Sequence, residues 1–228
     1  MTGHSRFIEI CPHYATEAMR GCIIVSMSYP QRIGLYGGTF NPIHEGHLWL
    51  AQTVYDALNL DHLIFIPAAH PPHKPQDLPF KHRYAMIKCA LTSLSLPFTV
   101  SDIEAHRPGP SYTADTLRHF HRHYPEAQLW WLLGEDALQN LHHWHQAETF
   151  HQYARFAVIG REGYALTSQA HMNQHLPQLV QSLDRVSHPP NSASSTQIRE
   201  ALKQRPQECP AFLPAPVYAY IVAHQLYR

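Results

Sequence analysis

The stretch YGGTFNPIHEGHL, residues 36–48, combines three glycines, a proline and two histidines within thirteen residues. Gly37 and Gly38 follow a short apolar run, and residues without a Cβ allow backbone N–H groups to approach a phosphate closely. Asn41 followed by Pro42 is a favourable N-cap and first-turn pair, so we predict a helix that opens there with its free N–H groups facing the same point. The stretch therefore predicts a strand, a glycine turn and a helix N-terminus arranged to bind phosphate.

Two histidines stand on this predicted helix. His44 and His47 are three residues apart and would share a face. Gly46, a costly residue inside a helix, is explained if a flat group lies against the backbone there. The pattern is neither G-x-G-x-x-G nor G-x-x-x-x-G-K-[ST], which argues against a dinucleotide-binding oxidoreductase and a P-loop kinase. The alternative is a structural turn with two surface imidazoles.

Outward from this stretch, short apolar runs alternate with segments of helical period. The predicted strands are residues 33–36, 63–67, 98–101, 129–133, 156–160 and 183–187. The predicted helices lie near residues 46–58, 80–94, 112–124, 166–180, 196–204 and 215–226. Such alternation, with strands apolar on both faces, predicts an α/β, Rossmann-like, doubly wound and mainly parallel sheet with flanking helices. Ligands in such sheets bind at the carboxyl ends of the strands. The proline-rich stretch 68–79 is predicted to be a surface loop over that edge.

The composition favours a single domain, residues 31–228, behind an extension of unassigned role, residues 1–30. Met27 is an alternative start of the protein, and an extension packed on the domain is the other interpretation. The formal net charge is +0, which gives no bulk electrostatic attraction to nucleic acid or to an anionic membrane.

The spacing of the cysteines and the length of the apolar runs indicate in which cellular compartment the protein is expected. Four cysteines are scattered without any C-x-x-C pair, which favours neither a zinc knuckle nor a disulfide framework. The longest early apolar run is far shorter than the roughly 18 to 20 residues of a spanning helix. We therefore expect a cytoplasmic protein that does not enter the membrane.

GGTFNPIHEGH resembles the signature of the nucleotidyltransferase superfamily, whose T/H-x-G-H element binds the phosphates of a nucleoside triphosphate. Further motifs are PPHK (71–74), GPSYTADTL (109–117), LLGEDALQNLHHW (132–144), SSTQIR (194–199) and the closing YAYIVAHQLY. They follow the order seen in bacterial nicotinate-nucleotide adenylyltransferases, over residues 31–228. The resemblance implies the nucleotidyltransferase fold and adenylyl transfer from ATP to nicotinate mononucleotide, which gives deamido-NAD and pyrophosphate in NAD biosynthesis.

The resemblance also implies roles for individual residues. The catalytic residues would be His44, His47, Lys74 and Arg199. ATP would be bound by Gly37, Gly38, Thr39, Phe40, His44, His47, Gly134, Asp136, Ser195, Thr196 and Arg199. The pyridine mononucleotide would contact Lys74, Tyr112, Thr113 and Trp144. The alternatives are a solvated lysine at 74, an ordinary N-cap with a surface arginine near 195–199, a helix cap at Asp136 and a core tryptophan at 144.

The implied reaction is attack of a phosphate on the α-phosphorus of ATP. A phosphomonoester has its second pKa near ~6, so the nucleophile is mostly ionised at pH 7 and needs no general base. Imidazole, lysine and arginine donors would stabilise the charge that builds on the phosphates. Magnesium is expected to arrive with ATP, held by phosphate oxygens and water, so we predict no metal site made by the protein. The His-rich stretches 119–123 and 142–145 are interpreted as solvated faces rather than metal ligands.

Three positions depart from the family pattern: Asn41 stands where many members have Asp, Glu135 lies inside GED, and Ala193 precedes SST. Several alternatives remain open. The acceptor could be nicotinamide mononucleotide or phosphopantetheine, or the protein could be a non-catalytic nucleotide sensor on the same fold. A cytidylyltransferase and a class I aminoacyl-tRNA synthetase fragment share the H-x-G-H element, but PPHK, GPSYTADTL and the absence of a K-M-S-K-S-like loop argue against them. A homo-oligomer is left open.

Overall fold

In the computed structural model, residues 31–72, 78–160, 172–187 and 192–228 are described. The predicted extension, residues 1–30, lies outside them. Within the described residues one sheet has the order β3-β2-β1-β4-β5-β6, with every pair parallel. The strands are β1 (Arg32–Gly38), β2 (His62–Pro67), β3 (Phe98–Val100), β4 (Gln128–Gly134), β5 (Arg155–Gly160) and β6 (Leu183–Ser187). All six predicted strands and the doubly wound parallel fold are confirmed.

Helices connect the strands and cover both faces of the sheet. They are α1 (Glu45–Ala57), α2 (Phe80–Leu91), α3 (Thr113–His123), α4 (Glu135–Gln139), α5 (Pro177–Val180), α6 (Ser195–Gln204) and α7 (Ala215–Ala223). Short 3₁₀ helices occupy Ile103–His106, Leu141–His143 and Ala147–Gln152. Five predicted helices are confirmed, four of them ending one to three residues earlier than predicted. Part of the sixth, near 166–180, lies outside the described residues.

Two hydrophobic cores lie on opposite faces of the sheet. Alternate residues of β1 divide between them, because Tyr36 packs in the first core whereas Ile33 and Leu35 pack in the second. Helices α1, α2, α6 and α7 contribute to the first core, and α3, α4 and α5 contribute to the second. This burial on both faces is the reason that the strands read as continuous apolar runs in the sequence.

A crevice opens between β1 and β4. The chain runs from β1 outward to β3 and then returns to β4 on the other side of β1, so the direction of winding reverses between these two strands. Their pairing stops at Leu35 and Trp131, although the strands continue to Gly38 and Gly134. Ligands of doubly wound sheets bind at this reversal, outside the carboxyl ends of the strands.

One local prediction is wrong. Helix α1 begins at Glu45 with His44 as its N-cap, and not at Asn41 and Pro42, which form a turn with a cis peptide bond. The oxygens of Asn41 are used elsewhere: the backbone carbonyl accepts a hydrogen bond from Arg199 and the side-chain oxygen accepts one from Tyr227. Asn41 therefore joins the turn to the end of the chain and does not cap α1.

Candidate active site

A cavity of about 240 Å³ lies at the carboxyl edge of the sheet, beside β1 and β4. Most of its wall is apolar or aromatic, and Glu104 places a carboxylate in that wall. The lining residues are Gly37, Gly38, Thr39, Ile66, Ala68, Pro71, Pro72, Glu104, Ser111, Tyr112, Thr113, Trp131, Trp144 and His145. A mostly apolar surface with a few polar groups is typical of small-molecule binding sites.

The glycines make room for aromatic rings. A Cβ on Gly37 would lie 2.2 Å from Cζ2 of Trp131, and a Cβ on Gly38 would lie 2.9 Å from Cζ of Phe40. Both contacts are too close for any residue with a side chain. We call residues 37–42, which lead from the end of β1 to the start of α1, the glycine turn. It forms one wall of the cavity on one side, and on the other Phe40 contacts His47 with ring centroids 5.1 Å apart.

The two histidines of H-x-G-H form a stacked pair. Their ring centroids are 3.7 Å apart with an interplanar angle of 27°. The backbone N–H of His44 donates to Nδ1 of His47 at 3.3 Å, whereas Nδ1 of His44 is buried without a hydrogen-bond partner within the described residues. Gly46 is explained by crowding, because a Cβ there would lie 2.9 Å from Cβ of Ala193 and 3.0 Å from Nδ1 of His44. The expected flat neighbour of Gly46 is thus the His44 ring itself.

Burial keeps both imidazoles neutral. It lowers the pKa of His44 to about 4. The pKa of His47 lies well below its ordinary value, chiefly through burial and secondly through the neighbouring His44. At pH 7 each ring is therefore a neutral N–H donor and not a cation.

Helix α6 brings three of the predicted residues to the glycine turn. Ser195 Oγ donates to the carbonyl oxygen of Pro42 at 3.0 Å. Nη1 of Arg199 donates to the carbonyl oxygen of Asn41 at 2.7 Å, and its Nη2 donates to Oγ1 of Thr196 at 3.2 Å. The side chains of Ser195 and Arg199 thus hold the turn in this structure, a contact that their spacing in the sequence does not reveal.

At the end of β4, Gly134 leads into α4. Asp136 is exposed, and its Oδ1 lies 2.8 Å from the position of a Cβ on Gly134. Glu135, one of the departures from the family pattern, pairs with Arg185 of β6 at 3.2 Å. A Cβ on Gly160 would lie 2.9 Å from Oε2 of Glu135, so the carboxylate occupies space that a glycine leaves open. The extra acidic residue therefore has a partner of its own.

The segment before α3 forms a second wall of the cavity. Ser111 Oγ accepts hydrogen bonds from the backbone N–H groups of Ala69 and His70, at 3.0 and 2.9 Å, which ties this segment to the loop after β2. The ring of Tyr112 stacks on His145 with centroids 4.2 Å apart. Thr113 is the first residue of α3 and also lines the cavity. The predicted Tyr112 and Thr113 thus lie at the cavity, next to residues of the loop over the sheet edge.

Trp144 is half-buried, lines the cavity and meets Phe150 edge to face with ring centroids 6.5 Å apart. One part of the indole packs on the second core while another faces the cavity. The core and binding interpretations of Trp144 are therefore not exclusive. Lys74 falls within 73–77, outside the described residues.

Two buried residues at this edge have no counterpart among the sequence predictions. Arg83 of α2 has a relative exposure of 0%, and its guanidinium donates to the carbonyl oxygens of Thr39, Ala68 and Leu78 at 2.8, 2.6 and 3.3 Å. Its position was detectable, because a charged residue shares the apolar face of α2 with Met86, Ile87 and Ala90.

Glu104 is the other residue that the sequence predictions missed. It is 5% exposed, and its Oε1 accepts a hydrogen bond from Oγ1 of Thr116 at 2.7 Å. Arg107 donates to the same hydroxyl at 2.6 Å. Oε2 of Glu104 is buried without a hydrogen-bond partner within the described residues. The cluster fixes the start of α3 relative to the 3₁₀ helix Ile103–His106, and no periodicity in the sequence points to it.

In the part of the chain that the structure describes, no group of three or more His, Cys, Asp or Glu side chains could hold a metal ion. His119 and His123 stack with centroids 6.0 Å apart on α3, without a carboxylate that completes a ligand set. A search of the described ranges also finds no helix with the length and apolar character needed to cross a membrane.

Known proteins resemble the chain in sequence. A family model described as cytidylyltransferase-like matches residues 35–201. A probable nicotinate-nucleotide adenylyltransferase of Thermus thermophilus is 40% identical over 197 residues, which cover 86% of this chain and 100% of that protein. The corresponding protein of Gloeobacter violaceus is 37% identical, with 86% of this chain and 96% of that protein covered.

Solved structures share the fold. A Plasmodium falciparum nicotinic acid mononucleotide adenylyltransferase complexed with NaAD has a TM-score of 0.70 at 19% identity, with 86% of this chain and 97% of that chain covered. A putative nicotinate-nucleotide adenylyltransferase from Vibrio parahaemolyticus has a TM-score of 0.60 at 18% identity, covering 87% and 96%. From the extent and level of the sequence identity, this chain belongs to the nicotinate-nucleotide adenylyltransferase family.

Proposed function

We infer that adenylyl transfer from ATP to nicotinate mononucleotide, the reaction of this family, takes place where the histidine pair and the cavity meet. One observation carries this inference: a single glycine turn forms a wall of the aromatic cavity and also contacts His47, which stacks on His44. A pyridine ring in the cavity would lie next to the group that binds the triphosphate. The phosphate of the mononucleotide would then lie within reach of the α-phosphorus of ATP.

The reaction requires hydrogen-bond donors that stabilise developing charge, and it does not require a general base. The 5′-phosphate of the mononucleotide is mostly ionised at pH 7, since its second pKa is near ~6. As it attacks the α-phosphorus, charge builds on the phosphoryl oxygens and on the departing pyrophosphate. Neutral N–H donors at His44 and His47 would stabilise that charge, and removing one such donor typically costs about 10² to 10³ in rate.

We assign the other predicted residues as follows. The backbone of Gly37, Gly38, Thr39 and Phe40 and the first turn of α6 at Ser195, Thr196 and Arg199 would face the triphosphate. Gly134 and Asp136 would receive the ATP ribose. Trp144 would stack on the pyridine ring, with Tyr112 and Thr113 near its carboxylate. Lys74, outside the described residues, would add a point charge toward the phosphates.

Magnesium would enter the site with ATP. The described residues provide no group of three ligands, so the ion would be held by phosphate oxygens and water, its usual partners in nucleotide sites. When bound, it supplies positive charge to the leaving pyrophosphate. The protein's own part is to hold the α-phosphoryl group between the histidine pair and the first turn of α6.

The test is pyrophosphate release by the purified protein with Mg·ATP and three acceptors in parallel: nicotinate mononucleotide, nicotinamide mononucleotide and phosphopantetheine. We expect the highest kcat/KM with the nicotinate compound. His47→Ala should lower kcat by about 10² to 10³ while the protein stays folded.

Two outcomes would contradict the proposed function. A higher kcat/KM with nicotinamide mononucleotide or phosphopantetheine would change the acceptor assigned to the cavity. ATP binding without turnover of any acceptor would favour a nucleotide sensor.

A further inference from the structure

Side chains from two distant parts of the chain hold the oxygens of the glycine turn. Arg83 of α2 donates to the carbonyl of Thr39. Arg199 and Ser195 of α6 donate to the carbonyls of Asn41 and Pro42. A carbonyl oxygen carries partial negative charge and would repel a phosphate if it faced one. Because these three oxygens are engaged by cationic or hydroxyl donors, the backbone of the turn is held in a conformation suited to an anion.

Tyr227 makes a fourth contact of this kind, and the proposed mechanism gives it no role. Its hydroxyl donates to Oδ1 of Asn41 at 2.5 Å, across 186 residues of sequence. The ring is half-buried and packs against the first core, which contains Phe40 and Ile43. Burial raises the pKa of the Tyr227 phenol, so the group remains a protonated donor throughout the physiological range.

We propose that Tyr227 is a positioning residue for ATP: its hydroxyl fixes the side chain of Asn41 and thereby the conformation of the glycine turn that receives the phosphates. The proposal rests on the assignment of that turn to ATP. Asn41 is uncharged, so its orientation depends on hydrogen bonds rather than on an ion pair. Tyr227 donates to its side-chain oxygen and Arg199 donates to its backbone carbonyl.

The effect should be selective for one substrate. Asn41 lies within the turn, between Phe40, which contacts His47, and the start of α1. The aromatic walls of the cavity come instead from Trp131 of β4 and from Trp144. Loss of the Tyr227 hydroxyl should therefore weaken the binding of the triphosphate and leave the binding of the pyridine mononucleotide nearly unchanged.

The direct test uses Tyr227→Phe, which removes one oxygen and keeps the ring. The affinity for an ATP analogue with a methylene group in place of the α,β-bridging oxygen is measured by calorimetry with Mg²⁺ present. We expect Kd to rise about 3- to 10-fold, the change associated with one neutral hydrogen bond. The Kd for nicotinate mononucleotide should change less than about twofold.

A matched control is Tyr218→Phe. Tyr218 lies on α7, and its hydroxyl donates to the carbonyl of Pro206 at 3.2 Å, away from the glycine turn. This variant should bind the analogue as the wild type does. Equal Kd values for the analogue in Tyr227→Phe and the wild type would overturn the proposal. So would an equal loss of affinity for both substrates, which would indicate a general structural defect.

A double-mutant cycle adds a second readout. If the hydroxyl acts through Asn41, the effects of Tyr227→Phe and Asn41→Ala on the analogue Kd must be non-additive. Additive effects would mean that Tyr227 does not act through Asn41. Because these measurements need no turnover, an inactive wild type would contradict the proposed reaction without deciding the role of Tyr227.

Discussion

The glycine turn and the cavity share residues and yet are built on different principles. Donors from α2, α6 and Tyr227 hold the oxygens of the turn. The cavity takes its shape from rings, chiefly Trp131 and Trp144. A fixed set of polar contacts suits a region where charge develops during the reaction, because preorganised dipoles need not reorganise at that moment. A rigid apolar wall suits a flat ring that only has to be held in place.

The largest effect is expected where one residue serves both regions. Arg83→Met would leave three carbonyl oxygens without their donor, on Leu78, which is buried, and on Thr39 and Ala68, which are partly buried. We expect the free energy of unfolding to fall by about 3 to 5 kcal/mol, since each unsatisfied buried group costs about 1 to 3 kcal/mol. Urea denaturation measures this directly.

The matched control for Arg83→Met is Lys81→Met. Lys81 lies on the same helix and is exposed, so its replacement should change stability by less than about 0.5 kcal/mol. An equally small effect of Arg83→Met would mean that this guanidinium does not stabilise the turn and the loop. The turn and the cavity would then have no stabilising residue in common.

A second prediction concerns the pH dependence of stability and rests on His44, at the start of α1 just after the turn. The pKa of His44 falls from 6.5 to about 4 on folding, so between these values the unfolded chain binds a proton at this position that the folded chain does not. Stability is therefore complete above pH 6.5 and falls as the pH drops from 6.5 toward 4. His44 alone should contribute about 2 kcal/mol to the loss between pH 7 and pH 5.

The measurement for His44 compares denaturation of the wild type and His44→Gln at the two pH values. The variant should lose about 2 kcal/mol less stability than the wild type, although other histidines titrate in both proteins. Identical pH dependence would show that His44 is not kept neutral by burial, and the histidine pair would then be a cationic site rather than a pair of neutral donors.

The smallest effect is expected in the cavity. Trp144→Ala removes one aromatic residue from the cavity wall and leaves Trp131 in place. We expect KM for nicotinate mononucleotide to rise about tenfold with KM for ATP unchanged, because stacking on an aromatic side chain contributes about 1 to 3 kcal/mol. Trp144→Phe should restore most of the loss. If both variants raise KM for ATP as strongly, the cavity does not serve the pyridine ring.

The fold was predictable because the sheet is buried on both faces. The runs in β2 and β4 are uninterrupted apolar sequences, and their length and flanks distinguish them from helices. The start of α1 was not predictable, since Asn41 and Pro42 have good capping chemistry but Asn41 bonds with Arg199 and Tyr227 instead. Hydrogen bonds to residues more than 150 positions away in the sequence outweigh the local preference of Asn41 for capping a helix.

The site was predictable where it depends on motifs. The histidine pair, the glycine turn and the residues of GPSYT meet at one edge as expected. No periodicity points to Glu104. The place of Arg83 on the apolar face of α2 was detectable, but its contact with Thr39, 44 residues away in sequence, was not. The contact of Ser195 with Pro42 was missed for the same reason.

The contact between Gly37 and Trp131 limits how the substrate range of this protein could be changed. The indole of Trp131 occupies the volume that any side chain at position 37 would need, so the size of the residue at one position limits the size at the other. A larger residue at 37 would push the indole toward the cavity and shrink it. Enlarging the cavity for bulkier acceptors must therefore begin at Trp131, and among natural relatives we expect position 37 to vary only where position 131 holds a smaller residue.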